Sequence, residues 1–105
     1  MSIFSSLFGG KTTDFKSLVA QGALIIDVRS PQEFAGGHIP NSINMPLDRL
    51  PAKVNELKSK GLPIITCCRS GARSGLAKGI LQSAGMEVHN GGSWNGLQEK
   101  IGTRT

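Results

Sequence analysis

Residues 62–74 read L-P-I-I-T-C-C-R-S-G-A-R-S, and two kinds of sequence meet in them. L-P-I-I-T-C, residues 62–67, is a nearly continuous apolar run, the pattern of a strand buried on both faces. Pro63 is tolerable near its start. The stretch then turns to Gly, Ser and Arg, and from Arg73 to Ala84 the residues Leu76, Ile80 and Leu81 recur at helical spacing, with Gly85 beyond. A buried strand, a tight loop and a helix in that order make one step of an α/β fold.

Upstream, A-L-I-I-D-V at 23–28 is a second buried run. Before it, Thr13 can cap a helix over Asp14–Gln21, with Phe15, Leu18 and Val19 on its inner face and Gly22 ending it. After it, Ser30-Pro31 opens a short helix, a capping Ser followed by Pro at the first helical position, and Glu33 supports it as the third. Gly36-Gly37 stops that helix, and H-I-P-N-S-I-N-M-P follows as a turn with a short strand around Ser42–Asn44. Leu47, Leu50, Val54 and Leu57 predict a helix from about Asp48 to Ser59. M-E-V-H at 86–89 reads as a last short strand, and N-G-G-S-W-N-G-L-Q-E-K-I as a loop with a terminal helical turn or two. Strands alternating with helices predict an α/β fold with a mostly parallel central sheet flanked by helices.

The chain has 105 residues, enough for one domain and one core. We expect residues 1–10 to be a flap or tail and 11–105 a single domain. Ile3, Phe4, Leu7 and Phe8 fit one face of a short helix packed on that domain. The N-terminal stretch lacks a charged n-region and its apolar part is short for a signal peptide; no other stretch is long enough to cross a bilayer. The expected location is cytoplasmic, without stable membrane insertion.

The formal net charge is +5, with twelve Lys and Arg against seven Asp and Glu. The basic residues are spread along the chain, with no helix-turn-helix cue, zinc pattern or aromatic-interleaved basic strand. A nucleic-acid partner is therefore not expected, whereas attraction of a small anion is. Two adjacent cysteines close only a strained ring and staple nothing, so they point to thiol chemistry.

In open parallel sheets ligands bind at the carboxyl ends of the strands, and the cysteines stand at such an end. Loop amides and the positive end of a helix dipole lower a thiol pKa from about 8.5 into a range of roughly 3.5–7.5. Gly71 lets the backbone curl, Arg69 and Arg73 add positive charge, and Ser70 and Ser74 add hydroxyl donors. The result is a cup for an anion with a nucleophile at its base. Cys67 continues the apolar strand and reads as a small core residue; Cys68 begins the loop. From Cys68, C-R-S-G-A-R is a six-residue loop. From Cys67, C-C-R-S-G-A-R has the C-x5-R form of cysteine phosphatases, though Thr66 stands where their His is usual. Neighbouring side chains point to opposite faces of a strand, so only one thiol can sit in the cup. The residues favour Cys68.

C-R-S-G-A-R-S at 68–74 resembles the active-site loop of the single-domain rhodaneses, the thiosulfate sulfurtransferases. I-I-D-V-R-S-P-Q-E-F-A-G-G-H-I-P-N-S-I-N-M-P-L at 25–47 is similar to a second characteristic segment of that family, and N-G-G-S-W at 90–94 to its late Gly-Gly and Trp. The resemblance implies that Cys68 accepts sulfane sulfur as a persulfide and passes it to a thiophilic acceptor, with no metal or organic cofactor. It implies that the amides of the loop, from Arg69 through Ser70, Gly71, Ala72, Arg73 and Ser74, bind the sulfur or its donor. Arg73 would anchor the loop or the incoming anion, and Arg69 would steer thiosulfate. Among the residues of the second segment, Asp27 is expected to cap the strand-to-helix turn, Arg29 and Glu33 to pair across one helical turn, and His38 to shape the G-H-I-P turn. Trp94 is expected to pack beside the loop. The implied acceptors are cyanide, a thiol or a protein cysteine. Other readings are a persulfide carrier for a protein partner, a phosphatase or arsenate-reductase-like enzyme using Cys67, and an inactive binding module.

Overall fold

The computed structural model describes residues 13–102. The apolar face expected of Ile3, Phe4, Leu7 and Phe8, and the flap they would form, lie outside these residues. In chain order the elements are α1 (Phe15–Ala20), β1 (Leu24–Asp27), α2 (Pro31–Ala35), β2 (Ile43–Asn44), a 3-10 helix (Leu47–Lys53), α3 (Val54–Lys60), β3 (Ile64–Cys68), α4 (Ala72–Ser83), β4 (Val88–Ser93) and α5 (Trp94–Ile101).

The two apolar runs marked by the sequence are the central strands β1 and β3. They pair in parallel, with Leu24 opposite Ile64, Ile26 opposite Thr66 and Asp27 opposite Cys67. β2 and β4 complete a sheet of order β2-β1-β3-β4, every pair parallel. Parallel neighbours need a crossover between them, and the helices supply it. One face carries Ile26, Val28, Leu50, Leu57, Ile64, Ala77, Leu81 and Val88, packed under the 3-10 helix, α3 and α4. The other carries Phe15, Ile25, Ile39, Ile65, Leu97 and Ile101, packed against α1 and α5. Both central strands are covered on both sides, which is why their sequences are continuous apolar runs and not alternating ones.

Local detail departs from the sequence reading in four places. Asp14, not Thr13, caps α1, its carboxylate accepting from the Ser17 N–H at 3.1 Å. Both residues are good caps, and the helix begins one residue later than predicted. The helix predicted from Asp48 is a 3-10 turn up to Lys53 and α-helix only from Val54. Pro51 lies within that turn and has no N–H to give an α-helical ladder. β3 runs on through Cys68, one residue past its predicted end.

The fourth departure is β4, which extends through Asn90, Gly91, Gly92 and Ser93 where a loop is predicted. Gly91 serves a close approach, whereas Gly92, at φ +79°, takes a left-handed conformation that suits glycine. A Cβ on Gly91 would stand 2.8 Å from a Leu97 methyl, 2.9 Å from the Thr66 carbonyl oxygen and 3.0 Å from an Ile65 methyl. Only a residue without a side chain lets β4 lie this tightly on β3. The register shifts between Thr66 and Cys68, so that Cys68 pairs with Ser93. The Ser30 hydroxyl and Glu33 carboxylate form the predicted capping box at the start of α2.

Candidate active site

β1 is followed by β2 on one side and paired with β3 on the other, so the strand order reverses beside the carboxyl end of β3. A parallel sheet opens its crevice at such a point. Cys67 and Cys68 end β3, and strand alternation sends them to different faces. Cys67 joins the core beneath α1 and α5; Cys68 joins the face beneath α4, alongside Ile64 and Ala77.

Both thiols are buried, at 0% and 1% exposure, so burial alone does not distinguish them. Their neighbours do. Cys67 is pushed up to about 12, by burial first and then by the negative charge of Asp27. For Cys68 burial also works against the thiolate, but hydrogen-bond donors outweigh it and the net shift is downward. These donors are the Ser74 hydroxyl and amide and the amides of Gly71 and Ser70. The Gly71 N–H donates to the sulfur at 3.0 Å and the Ser74 N–H at 3.4 Å, while the Ser74 Oγ lies 3.5 Å away. Gly71 caps α4 at φ +104°, a left-handed conformation that suits glycine and turns the loop back over the sulfur. The 12-residue α4 begins at the next residue, its positive end toward Cys68.

The loop is tied down by groups the sequence reading left unassigned. The Thr66 hydroxyl donates to the Ser74 carbonyl at 2.9 Å. Asn90 Oδ1 accepts from the Ser74 hydroxyl at 2.6 Å and from the Gly92 N–H at 2.9 Å, and its Nδ2 donates to the Gly71 carbonyl at 3.2 Å. Asn44 donates to the carbonyls of Asp27 and Arg29 at 3.0 and 2.9 Å, holding the end of β1. The only sequence cue for Asn90 is its place before Gly91-Gly92; its partners in the loop come from an element far along the chain.

Arg29 and Glu33 do not pair through their side chains as predicted. The Arg29 guanidinium forks onto the Asp27 carboxylate, with contacts of 2.7–3.0 Å, and also donates to the carbonyls of Glu33 and Gly37 at 3.2 and 2.7 Å. Asp27 also accepts from the Arg29 N–H at 3.1 Å, the turn-capping contact. The buried carboxylate is the nearest strong acceptor, so it takes the fork in place of the more exposed Glu33. Glu33 pairs instead with Arg73, Nη1 and Nη2 donating at 2.8 and 2.9 Å, which fastens the start of α4 to α2. That fork holds Glu33 at about 2, well below the usual carboxylate range.

The Arg29 guanidinium lies 4.8 Å from the Trp94 ring centroid, so Trp94 packs at the site's border through Arg29. His38 donates from Nδ1–H to the Phe34 carbonyl at 2.8 Å and stacks on the Phe34 ring at 3.7 Å, a scaffold contact. Arg69 and Ser70 are exposed at the loop's tip, as is Ala72 at the start of α4. Arg69 borders an open cleft of about 280 Å³ with Trp94 and Asn95, and Arg73 borders another of about 400 Å³ with Ser30, Leu47 and Arg49.

The family model described as "Rhodanese-like domain" matches residues 11–100. The chain belongs to the rhodanese family. A rhodanese from E. coli, solved with anions, matches 71% of this chain and 91% of its own, at 30% identity and a TM-score of 0.65. Among curated proteins, the uncharacterized protein YqhL of Bacillus subtilis is 41% identical over 69 residues, 65% of this chain and 54% of that protein. A protein named sulfurtransferase, from Allochromatium vinosum, is 35% identical over 65 residues, 62% of this chain and 60% of its own. This rhodanese domain thus spans little more than half the length of those two curated relatives. Its parallel sheet flanked by helices is the rhodanese fold. Among the described residues, no helix is long and apolar enough to cross a membrane.

Proposed function

We propose that this protein is a sulfurtransferase in which the Cys68 thiolate takes up sulfane sulfur from thiosulfate, or from a persulfide donor. The observation that carries the reading is the sulfur of Cys68 under the amides of Gly71 and Ser74 at the head of α4. Family membership and a relative named sulfurtransferase support the reaction class.

In the first step the Cys68 thiolate attacks the outer sulfur of thiosulfate. A new S–S bond forms, the old one breaks, and sulfite leaves with its electron pair. In the second step an acceptor thiolate, or cyanide, attacks the outer sulfur of the Cys68 persulfide and Cys68 departs as thiolate. Two displacements replace one difficult transfer. The donors that favour the thiolate also stabilise it as leaving group, and the charge that forms stays within the cup. Arg69, exposed at the rim, is the proposed steering charge for an anionic donor. Arg73 acts on the loop through Glu33. The acceptor in the cell is proposed to be a thiol, small or on a protein.

The C-x5-R alternative requires Cys67 as nucleophile. Its thiol is on the opposite face of β3 and pushed up to about 12, which counts against it.

The test is the intact mass of the reduced protein after thiosulfate treatment, with Cys67→Ser and Cys68→Ser alongside. We expect one added sulfur in the wild type and Cys67→Ser, none in Cys68→Ser, and removal by cyanide. No gain from thiosulfate or from a low-molecular-weight persulfide would reject the proposal. Gain without turnover on small acceptors would indicate a carrier for a protein partner.

A further inference from the structure

The Ser74 hydroxyl has one proton and faces several acceptors. It lies 2.6 Å from Asn90 Oδ1, 3.1 Å from the Gly71 carbonyl and 3.5 Å from the Cys68 sulfur. The orientation of Asn90 is fixed by its other bonds, since its Nδ2 donates to the Gly71 carbonyl and its Oδ1 accepts from the Gly92 N–H. Asn90 therefore presents an oxygen to Ser74, and a carbonyl oxygen can only accept. With Cys68 as thiol, a chain of donors is complete: the S–H donates to Ser74 Oγ, and the Ser74 O–H donates to Asn90. When Cys68 ionises the chain breaks, because the S–H donor is gone. The sulfur keeps the Gly71 and Ser74 N–H donors, and gains the Ser74 hydroxyl only by drawing its proton from Asn90.

We propose that Asn90 is a positioning residue that holds the Ser74 hydroxyl proton away from the Cys68 sulfur, and so tempers the acidity of that thiol. The proposal rests on Cys68 being the reactive thiol. Its chemical sense is that a thiolate loses intrinsic nucleophilicity as it becomes more acidic, and reactivity peaks when the thiol titrates near the ambient pH. The Gly71 and Ser74 amides and the α4 dipole all stabilise the thiolate. An acceptor that competes for the Ser74 proton works in the other sense.

Other charges around Cys68 bear on the same equilibrium. Arg73 of α4 lies near it with its partner Glu33 of α2, and Asp27 and Arg29 form a pair at the end of β1. Arg69 of the loop is exposed, Cys67 faces the other side of β3, and His89 of β4 is paired with Glu87. None of these touches the Ser74 hydroxyl, so changing Asn90 alters one competitor and leaves them in place.

The experiment is a pH titration of thiolate ultraviolet absorbance in the wild type, Asn90→Ala, Asn90→Asp, Ser74→Ala and the double variant Asn90→Ala/Ser74→Ala. Folding of each is checked by circular dichroism. The reading needs no sulfur transfer, so its failure is separable from failure of the proposed function. In Asn90→Ala the thiolate population, measured well below the wild-type midpoint, should rise roughly tenfold, the factor associated with one hydrogen bond to a charged group. Asn90→Asp keeps an acceptor for Ser74 but loses the donor to Gly71, and should show no such rise. In the Ser74→Ala background, removing Asn90 should change nothing. The proposal is overturned if Asn90→Ala leaves the titration in place or moves it to higher pH. It is equally overturned if Asn90→Asp mimics Asn90→Ala, or if the effect survives without Ser74. Should Ser74→Ala fail to fold, the comparison of Asn90→Ala with Asn90→Asp decides alone.

Discussion

Glu33 and Arg73, 40 residues apart in sequence, meet in a two-pronged ion pair of 2.8 and 2.9 Å. The pair joins α2, the short helix after β1, to the first turn of α4, just past the loop after β3. Its geometry needs the planar guanidinium, and Lys offers a single point charge in its place. Arg73→Lys should therefore lower kcat/KM for sulfur uptake about tenfold to a hundredfold, as expected when a loop around a nucleophile shifts by a fraction of an ångström to an ångström. Unchanged kinetics would mean that the loop holds its shape without the pair.

The same pair has a pH signature. The folded Glu33 titrates at about 2 against an ordinary 4.5. Its folded value is depressed, so its contribution is present above the unfolded value and is lost as pH falls from about 4.5 toward 2. The carboxyl carbon resonance of Glu33 should stay in its ionised position through pH 4 and move only near the bottom of that window. In Arg73→Ala it should titrate close to the ordinary value. A wild-type midpoint near 4.5 would show that the fork is not kept in solution.

The two cysteines should separate cleanly under alkylation. Native protein treated with iodoacetamide at neutral pH should take up one equivalent, on Cys68, and continue to do so below the ordinary thiol range. Cys67 should react only after unfolding, because burial and Asp27 hold it near 12. Cys67→Ser places a hydroxyl among apolar side chains and should cost about 1–3 kcal/mol in urea denaturation while keeping sulfur uptake. Loss of uptake in a folded Cys67→Ser protein would contradict the assignment.

Asp27 and Arg29 form a buried pair, with side-chain exposures of 0% and 5%. Removing one partner strands the other charge in the interior. Asp27→Ala should cost about 3–5 kcal/mol of unfolding free energy. Arg29→Lys should not preserve the site's border, since the guanidinium also holds the Gly37 carbonyl and lies against Trp94. A loss below 1 kcal/mol for Asp27→Ala would mean that water reaches Arg29.

Gly91→Ala tests the close approach of β4 to β3. Its methyl would stand 2.9 Å from the Thr66 carbonyl oxygen, a backbone atom that cannot turn aside. The expected cost is about 1–3 kcal/mol from overpacking. Because β4 carries Asn90, the variant should also disturb the Cys68 titration. Wild-type stability would indicate that the strands can separate freely there.

The central strands, the cap of α2 and the loop around Cys68 were legible because each is a local pattern. A covered parallel strand is a run of apolar residues, a capping box is Ser30 with Glu33 three residues on, and the cup is a strand end before a helix start. β4 was not legible in full, because N-G-G-S is the composition of a turn; only the partner strand makes Gly91 necessary. The ion pairs failed in the same way. Spacing within one helix suggested Arg29 with Glu33, while the strand that precedes it and a helix far down the chain each supplied a better partner. Asn90 carried no local sign beyond its place before Gly91-Gly92, since its role is set by which atoms of Gly71 and Ser74 lie opposite.

Cys67 and Cys68 are neighbours on the chain and strangers in space, their thiols on opposite sides of a sheet. Neighbouring α-carbons lie about 3.8 Å apart, short of the usual span of a disulfide, and bridging them would pull β3 out of register. The sequence offers no third cysteine. On the proposed function, sulfur taken up by Cys68 therefore has no exit through Cys67, and its acceptor must come from beyond this domain. Each discharge of the site is then an encounter, governed by the concentration and fit of a visitor as much as by the loop that holds the cargo.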